Sequence, residues 1–182
     1  MLNEKLNVID ETGKVIGAAP RNVVHKKGLL HREIHVWLYT SSGKIIFQHR
    51  SKSKDIWPDK LDCSVAGHVD FNMSWEDTAL KELEEEAGIT ASADQLTYIC
   101  ENHTNHVDPV SKNTNNVLRR TYAMKYDKPL SELHIEKDMS QGFEAWSTEA
   151  LTHISKEETG RFISGLLNKE HLELYKKILA LK

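Results

Sequence analysis

The chain has 182 residues, 39% hydrophobic and 28% charged, with 24 Lys and Arg against 27 Asp and Glu, giving a formal net charge of −3. This length buries a substantial core in one domain over residues 1–182, and the charge balance, lacking any basic block, argues against a groove for polymeric nucleic acid. No stretch has the apolar core of a signal peptide or reaches transmembrane length, so a cytoplasmic location without membrane association is expected. The two cysteines, Cys63 and Cys100, form no CxxC pair and indicate neither a disulfide framework nor a zinc site.

In chain order, residues 5–10 and 15–18 read as a hairpin around a turn at 11–14, with a short helix predicted over residues 21–27. Residues 31–40 alternate strongly, with Arg32, Ile34, Val36 and Leu38 on one side and His31, Glu33, His35, Trp37 and Tyr39 on the other. A turn at 41–43 leads into a strand over 44–50, and a short strand is expected over 61–66. Residues 96–102 and 117–126 read as strands around a polar loop, 103–116. A helical piece starts at 147–151. From residue 159 to 182, the spacing of Phe162, Ile163, Leu166, Leu167, Leu172, Tyr175 and Leu179 predicts one or two amphipathic helices. Mixed strands, hairpins and helices define an α+β class with helices covering a mixed β-sheet. Packing against that sheet is the favoured use of the C-terminal helices, and a homodimer surface is the alternative.

Residues 67–89, GHVDFNMSWEDTALKELEEEAGI, carry the strongest chemical signal. Ser74 is a suitable N-cap with Asp77 three residues on, Glu76 and Asp77 suit the positive first turn, and Gly88 suits the C′ position. Ala79, Leu80, Leu83 and Ala87 make an apolar stripe, and Glu82, Glu85 and Glu86 make a second stripe beside it, with Glu84 pointing elsewhere. Carboxylates gathered at the negative end of a helix, with Glu82 and Glu86 as an i,i+4 like-charge pair, are unfavourable by themselves. A cation between them would explain the arrangement.

The spacing of Gly67, Glu82, Leu83, Glu85, Glu86, Gly88 and Ile89 resembles the Nudix box, without a gap over its twenty-three positions. The resemblance implies an α/β/α sandwich and a hydrolase that cleaves a diphosphate bond in a nucleoside diphosphate derivative or another small organic diphosphate. It further implies Mg²⁺ or Mn²⁺ held by Glu82, Glu85 and Glu86 with the carbonyl of Ala66 or Gly67. Hard oxygen donors suit such ions. Two positions depart from the box: Met73 stands for its first Glu and Lys81 for its Arg. Those two pair in the family, so the salt bridge that braces the loop to the helix is expected to be absent. Family members often use one further acid from a distant loop, for which Glu101, Asp108, Asp138 and Glu144 are candidates.

Residues 5–90 also resemble the Nudix subgroup that includes isopentenyl diphosphate isomerase. In that enzyme histidines hold a metal, at positions that correspond to His25, His31 and His68. The isomerase's cysteine is replaced here by Ala66, and the stretch containing Asn115, Asn116, Arg119 and Arg120 lacks its glutamate. Cys63 is on the wrong side of a strand to substitute. This favours hydrolysis over isomerase-like chemistry. A catalytically silent nucleotide-binding domain is a third reading. Arg50, Lys52, Lys54, Arg119 and Arg120 are candidates to attract phosphates, with Arg50, Lys54 and His68 as the substrate-binding set. Trp57-Pro58 could stack on a base or prenyl group, and His103 and His106 could join the site from their loop.

Overall fold

The computed structural model describes residues 5–54, 56–107, 112–136 and 138–181. Strands β1 (Lys5–Ile9) and β2 (Val15–Pro20) form the N-terminal hairpin and lead into α1 (Arg21–Lys27). The hairpin turn is organised by Asp10, whose carboxylate accepts from Thr12 N at 2.9 Å and Lys14 N at 3.1 Å. β3 (His31–Tyr39), β4 (Lys44–Arg50), β5 (Leu61–Asp62) and β6 (Val65–His68) precede the motif helix α2 (Trp75–Ala87). β7 (Thr97–Val107), β8 (Thr114–Lys125) and β9 (Ser140–Ser147) follow, then α3 (Thr148–Thr152), α4 (Lys156–Thr159) and α5 (Lys169–Leu179).

The nine described strands form one mixed sheet organised on β3. One edge of β3 pairs in parallel with β8 from His31↔Val117 to Tyr39↔Lys125. Its other edge meets β1 at Val8↔His31, β6 from Glu33↔His68 to Val36↔Val65, and β4 at Tyr39↔Ile45. The alternation of β3 divides the interior. Ile34, Val36 and Leu38 join Ile46, Val65, Ala79, Leu83 and Tyr122 in a core beneath α2. Trp37 and Tyr39 join Phe47, Phe162, Tyr175 and Ile178 in a second core beneath α5. This is the α/β/α arrangement, with α5 packed on the sheet through Tyr175, Ile178 and Leu179. Among the described residues, no helix is long and apolar enough to cross a membrane.

Three local expectations need correction. The loop predicted at 103–116 is mostly hairpin ladder, with Asn105↔Asn116 and His106↔Asn115 paired. Both faces of this tip carry polar residues, so no alternation reveals the strands. Of the one or two helices expected within 159–182 one forms, α5, and residues 160–168 are irregular chain in which Phe162 bridges Leu61. Phe162 and Leu166 therefore enter the second core from irregular chain, where an apolar run mimics helical spacing. β9 was missed: its sequence SQGFEAWS contains little alternation, and it is held by pairing with β4 from Lys44↔Ser147 to Arg50↔Ser140.

Candidate functional site

α2 begins where Ser74, in extended conformation, accepts from Asp77 N at 3.0 Å. It ends at Gly88, whose φ of 67° is left-handed; Gly88 N donates to Glu84 O at 3.1 Å and Ile89 N to Leu83 O at 3.0 Å. Ala79, Leu83 and Ala87 face the core, which fixes the rotation of the helix and turns Glu82 and Glu86 toward β6. Glu85 lies further out, its side chain 56% exposed, and Glu84 is exposed.

The motif glycine is required by close approach. A Cβ on Gly67 would meet the Glu82 carboxyl carbon at 2.4 Å. Glu86 Oε2 accepts long hydrogen bonds from Gln48 Nε2 at 3.3 Å and Ala66 N at 3.4 Å. Burial pushes the Glu82 carboxyl up to about 7, with Lys81 opposing the shift and Glu85 adding to it. Burial and the neighbouring Glu82 push Glu86 up to about 8. Two half-buried carboxyls that resist ionisation beside one another, close to the carbonyl-bearing strand β6, form a donor set that a divalent cation would complete. Glu82 and Glu86, with Glu85 at the rim and a Gly67 or Ala66 carbonyl, fit a magnesium-class ion.

The brace expected to be missing exists in another form. Lys81 Nζ lies 3.2 Å from Asp70 and 3.6 and 3.5 Å from Glu82 and Glu85. Asp70 is three residues before Met73, so the anion that holds the loop to the helix comes from a different position. Despite its burial, Lys81 has its pKa raised by these carboxylates. Met73 packs against the core beneath α2 instead. Asn7 Nδ2 donates to Asp70 O at 3.0 Å, which ties this loop to β1.

The proposed additional acids lie elsewhere. Glu101 pairs with Arg120 at 2.7 Å, and Glu144 pairs with Arg161. Asp138 is exposed in left-handed conformation, and Asp108 lies outside the described residues. A loop acid whose charge does reach the glutamates is Glu136, one of the groups raising Glu86 and one that also opposes the depression of Lys54. Its loop is anchored on the end of α2: His134 N donates to Ala87 O at 3.0 Å, and Leu133 enters the core. Met139 N and Ser140 N both donate to Glu136 O at 3.1 Å. Sequence spacing carries no sign of this, because the loop is brought to the helix by tertiary packing.

Of the candidate phosphate-attracting cations, Lys54 is the one facing the glutamates. Its pKa is lowered by burial and by Arg50, with Glu86 and Glu136 opposing, and its Nζ lies 2.9 Å from Met139 Sδ. Arg50 is committed to its own loop: Nε to Trp57 O at 3.1 Å, Nη2 to Ile56 O at 2.8 Å and Nη1 to Asp62 at 3.0 Å. It holds Trp57 in a left-handed conformation, φ 53°, that a bulky residue rarely adopts. Lys52 is exposed, Arg119 is bound to Glu33, and Arg120 lies over Trp75 and pairs with Glu101. His103 bonds Asn116 in the exposed hairpin tip and His106 is exposed there too, away from the glutamates.

On the opposite face of β6, His68 meets His25 of α1 and His31 of β3. The ring centroids lie 5.0–5.1 Å apart, and one ring nitrogen from each falls within 4.8 Å of the others. Nε2 of all three rings is buried without a hydrogen-bond partner in the protein. Each such atom costs about 1–3 kcal/mol. Burial lowers all three histidines, His68 to about 3, with Arg21 adding to the effect and Glu33 opposing it. Burial would raise Glu33, but Arg119, donating at 2.7 Å, together with His35 and His68 holds it down at about 2. Neutral imidazoles with inward lone pairs fit the histidine-held metal that the isomerase resemblance implies. Ala66, opposite His35 on the neighbouring strand, has no group for proton transfer, and Cys63 is buried with Sγ against the carbonyls of Val36 and Val65.

A mixed sheet between two helical layers, with a loop–helix unit whose glutamates close on a glycine, defines a Nudix-type protein. The NUDIX domain pattern matches residues 29–164, and the chain belongs to this family. It is 40% identical over 102 residues to an uncharacterised Nudix hydrolase of Clostridium acetobutylicum, a match covering 54% of this chain and 49% of that protein. A second uncharacterised Nudix hydrolase, from Rhodococcus erythropolis, is 32% identical over 145 residues, covering 78% of this chain and 76% of the relative. The chain spans about half the length, or less, of the Clostridium acetobutylicum protein and of further curated relatives that it matches. The crystal structure of a Deinococcus radiodurans protein superposes with a TM-score of 0.68 at 22% identity, over 96% of this chain and 99% of that one, and shares the fold.

Proposed function

We propose that the chain is a metal-dependent hydrolase that cleaves the diphosphate bond of a nucleoside diphosphate derivative or another small organic diphosphate. The observation that carries this reading is the pair Glu82 and Glu86, turned onto Gly67 and Ala66 and pushed up to about 7 and 8 by burial, with Glu85 adding to the shift of Glu82 and Glu82 to that of Glu86. Mg²⁺ or Mn²⁺, when bound, supplies charge stabilisation to the phosphoryl oxygens and polarises water. The residues have separate roles in this reading. Glu82 and Glu86 bind the ion, and Glu85 at the rim orients water or a second ion. Lys54 neutralises a phosphate beside Glu86. Gln48 and Ala66 N keep the Glu86 carboxyl aimed at β6.

The repaired brace through Lys81 and Asp70 favours an active site over a silent binding domain, since the loop–helix unit keeps its geometry. Ala66 and the lack of an acid in the Asn115–Arg120 stretch favour hydrolysis over isomerisation. Nucleotide sugars, nucleoside triphosphates, dinucleoside polyphosphates, coenzyme A and prenyl diphosphates, each with Mg²⁺ or Mn²⁺, form the test panel. Metal-dependent release of phosphate or a monophosphate is expected for at least one class. Glu86→Gln is expected to lower kcat by about 10²–10⁴-fold. Turnover by Glu86→Gln at the wild-type rate would refute the site.

A further inference from the structure

We propose that Met139 is a positioning residue of the glutamate site: its thioether holds the Lys54 ammonium beside Glu86 without neutralising it, so the charge stays available to the diphosphate of the substrate. This inference rests on the diphosphate-binding part of the hydrolase reading and names a residue outside it. The first observation is what each candidate cation faces. Arg50 pairs with Asp62, Arg119 with Glu33 and Arg120 with Glu101. Among the described residues Lys54 has no such carboxylate, and the acceptor of its Nζ is Met139 Sδ at 2.9 Å. A thioether is a weak, uncharged acceptor. It fixes a donor in place and leaves the donor's charge uncompensated.

The second observation is that the loops carrying the two residues are bonded to each other. Residues 51–54 leave β4, and residues 138–139 lead into β9. Ser51 N donates to Met139 O at 3.0 Å, and Ser53 Oγ to Asp138 O at 3.2 Å. Lys54 N donates to Ser51 O at 3.3 Å, which closes the turn that presents Lys54. The β4–β9 ladder shifts register between His49 and Arg50, and these bonds carry the pairing past that irregularity. Met139 is also fixed from its own side of the chain. Its N donates to Glu136 O at 3.1 Å, and His134 N donates to Ala87 O at 3.0 Å. One short stretch therefore links the end of the helix that carries Glu86 to the sulfur that holds Lys54.

The side chain suits the task. A carboxylate in its place would pair with the ammonium and add negative charge beside Glu82 and Glu86. An aliphatic side chain would leave Lys54, with its flexible stem, nothing to aim it. Methionine is flexible enough to follow that stem and offers one soft acceptor. An ammonium has three donors, so the sulfur contact and bonds to phosphate oxygens are made together. The bonds to phosphate are charge-assisted and the stronger of the two kinds. Sequence gives no sign of the pair, because its members are 85 residues apart.

Methylenediphosphonate, a diphosphate whose bridge cannot be hydrolysed, would be titrated by calorimetry into the full chain with Mg²⁺ present. Met139→Leu nearly conserves volume and removes the acceptor. Its affinity for the probe should fall about 3–10-fold. Lys54→Met should bind the probe weakly, and adding Met139→Leu to it should change nothing further, which a purely structural role of Met139 would not produce. Met139→Gln, whose amide oxygen has a similar reach, should restore most of the affinity. With a cleaved member of the substrate panel, Met139→Leu should raise KM by the same factor and leave kcat within about twofold. Circular dichroism checks the fold of each variant. The proposal is overturned if the wild-type chain does not bind the probe, or if Met139→Leu binds it as tightly as wild type. It is also overturned if Met139→Leu weakens binding equally with and without Lys54. Coupled binding of the probe with no panel member cleaved would refute the hydrolase reading and keep the positioning role.

Discussion

Gly67 and His68 are consecutive residues on one strand, yet they serve chemically opposite surroundings. On the Gly67 side, α2 brings the Glu82 carboxyl so close that a Cβ would have to displace it, and burial and neighbouring carboxylates disfavour ionisation of Glu82 and Glu86. On the His68 side, three imidazoles are held neutral by burial, with their free nitrogens converging. The alternation of a β-strand is enough to create this difference. Charge density is therefore set by which face of β6 a helix or strand delivers its residues to, and the two faces can be perturbed separately.

The strongest way to break the carboxylate side while sparing the other is Gly67→Ala. The added methyl meets Glu82 at 2.4 Å and must displace the carboxyl or the strand. Because the flexible end of Glu82 can turn aside, a loss of at most about 1 kcal/mol in urea unfolding is expected, and the main effect is weaker Mg²⁺ binding by calorimetry. Unchanged Mg²⁺ affinity would mean that Glu82 does not need its present position.

Proton linkage sharpens the contrast. Glu82 and Glu86 rise in the folded protein from 4.5 to about 7 and 8. The cation-free fold then binds more protons than the unfolded chain from about pH 4.5 to 8, so the contribution of these groups to stability falls as pH rises through that window. A bound cation takes the place of those protons. The increase in melting temperature caused by Mg²⁺ should therefore be larger at about pH 8 than at pH 6, and Glu86→Gln should flatten this trend. A shift independent of pH would contradict the picture of two proton-retaining carboxyls.

Lys81 should give the smallest effect. Its side chain is 36% exposed, and Lys81→Met should cost about 0.2–1 kcal/mol in denaturant unfolding. Lys81→Arg should restore most of the loss, since Asp70 and Glu85 remain to receive a guanidinium. A loss well above that range would make the Asp70 pairing a main support of the loop.

Sequence revealed the parts of this molecule that are locally encoded. The limits of α2 were legible because Ser74 and Gly88 satisfy its ends, and the glutamate stripe because helical periodicity is strict. β3 was legible from its alternation. What escaped depends on distant chain. Asp70 replaces a missing glutamate only because its loop, tied to β1, returns it to Lys81. Glu136 approaches Glu86 because His134 docks on α2. Arg50 carries a charge suited to phosphate, but the fold turns it onto Ile56, Trp57 and Asp62, which no local pattern foretells.

The docking of His134 on Ala87 has one more consequence. Glu136 lies two residues after the one docked on α2, and its own carbonyl accepts from Met139 N and Ser140 N at the start of β9. Chain inserted between those anchors would lengthen the connection without loosening α2. This is where length variation would move Glu136 while Glu82 and Glu86 stay fixed on α2.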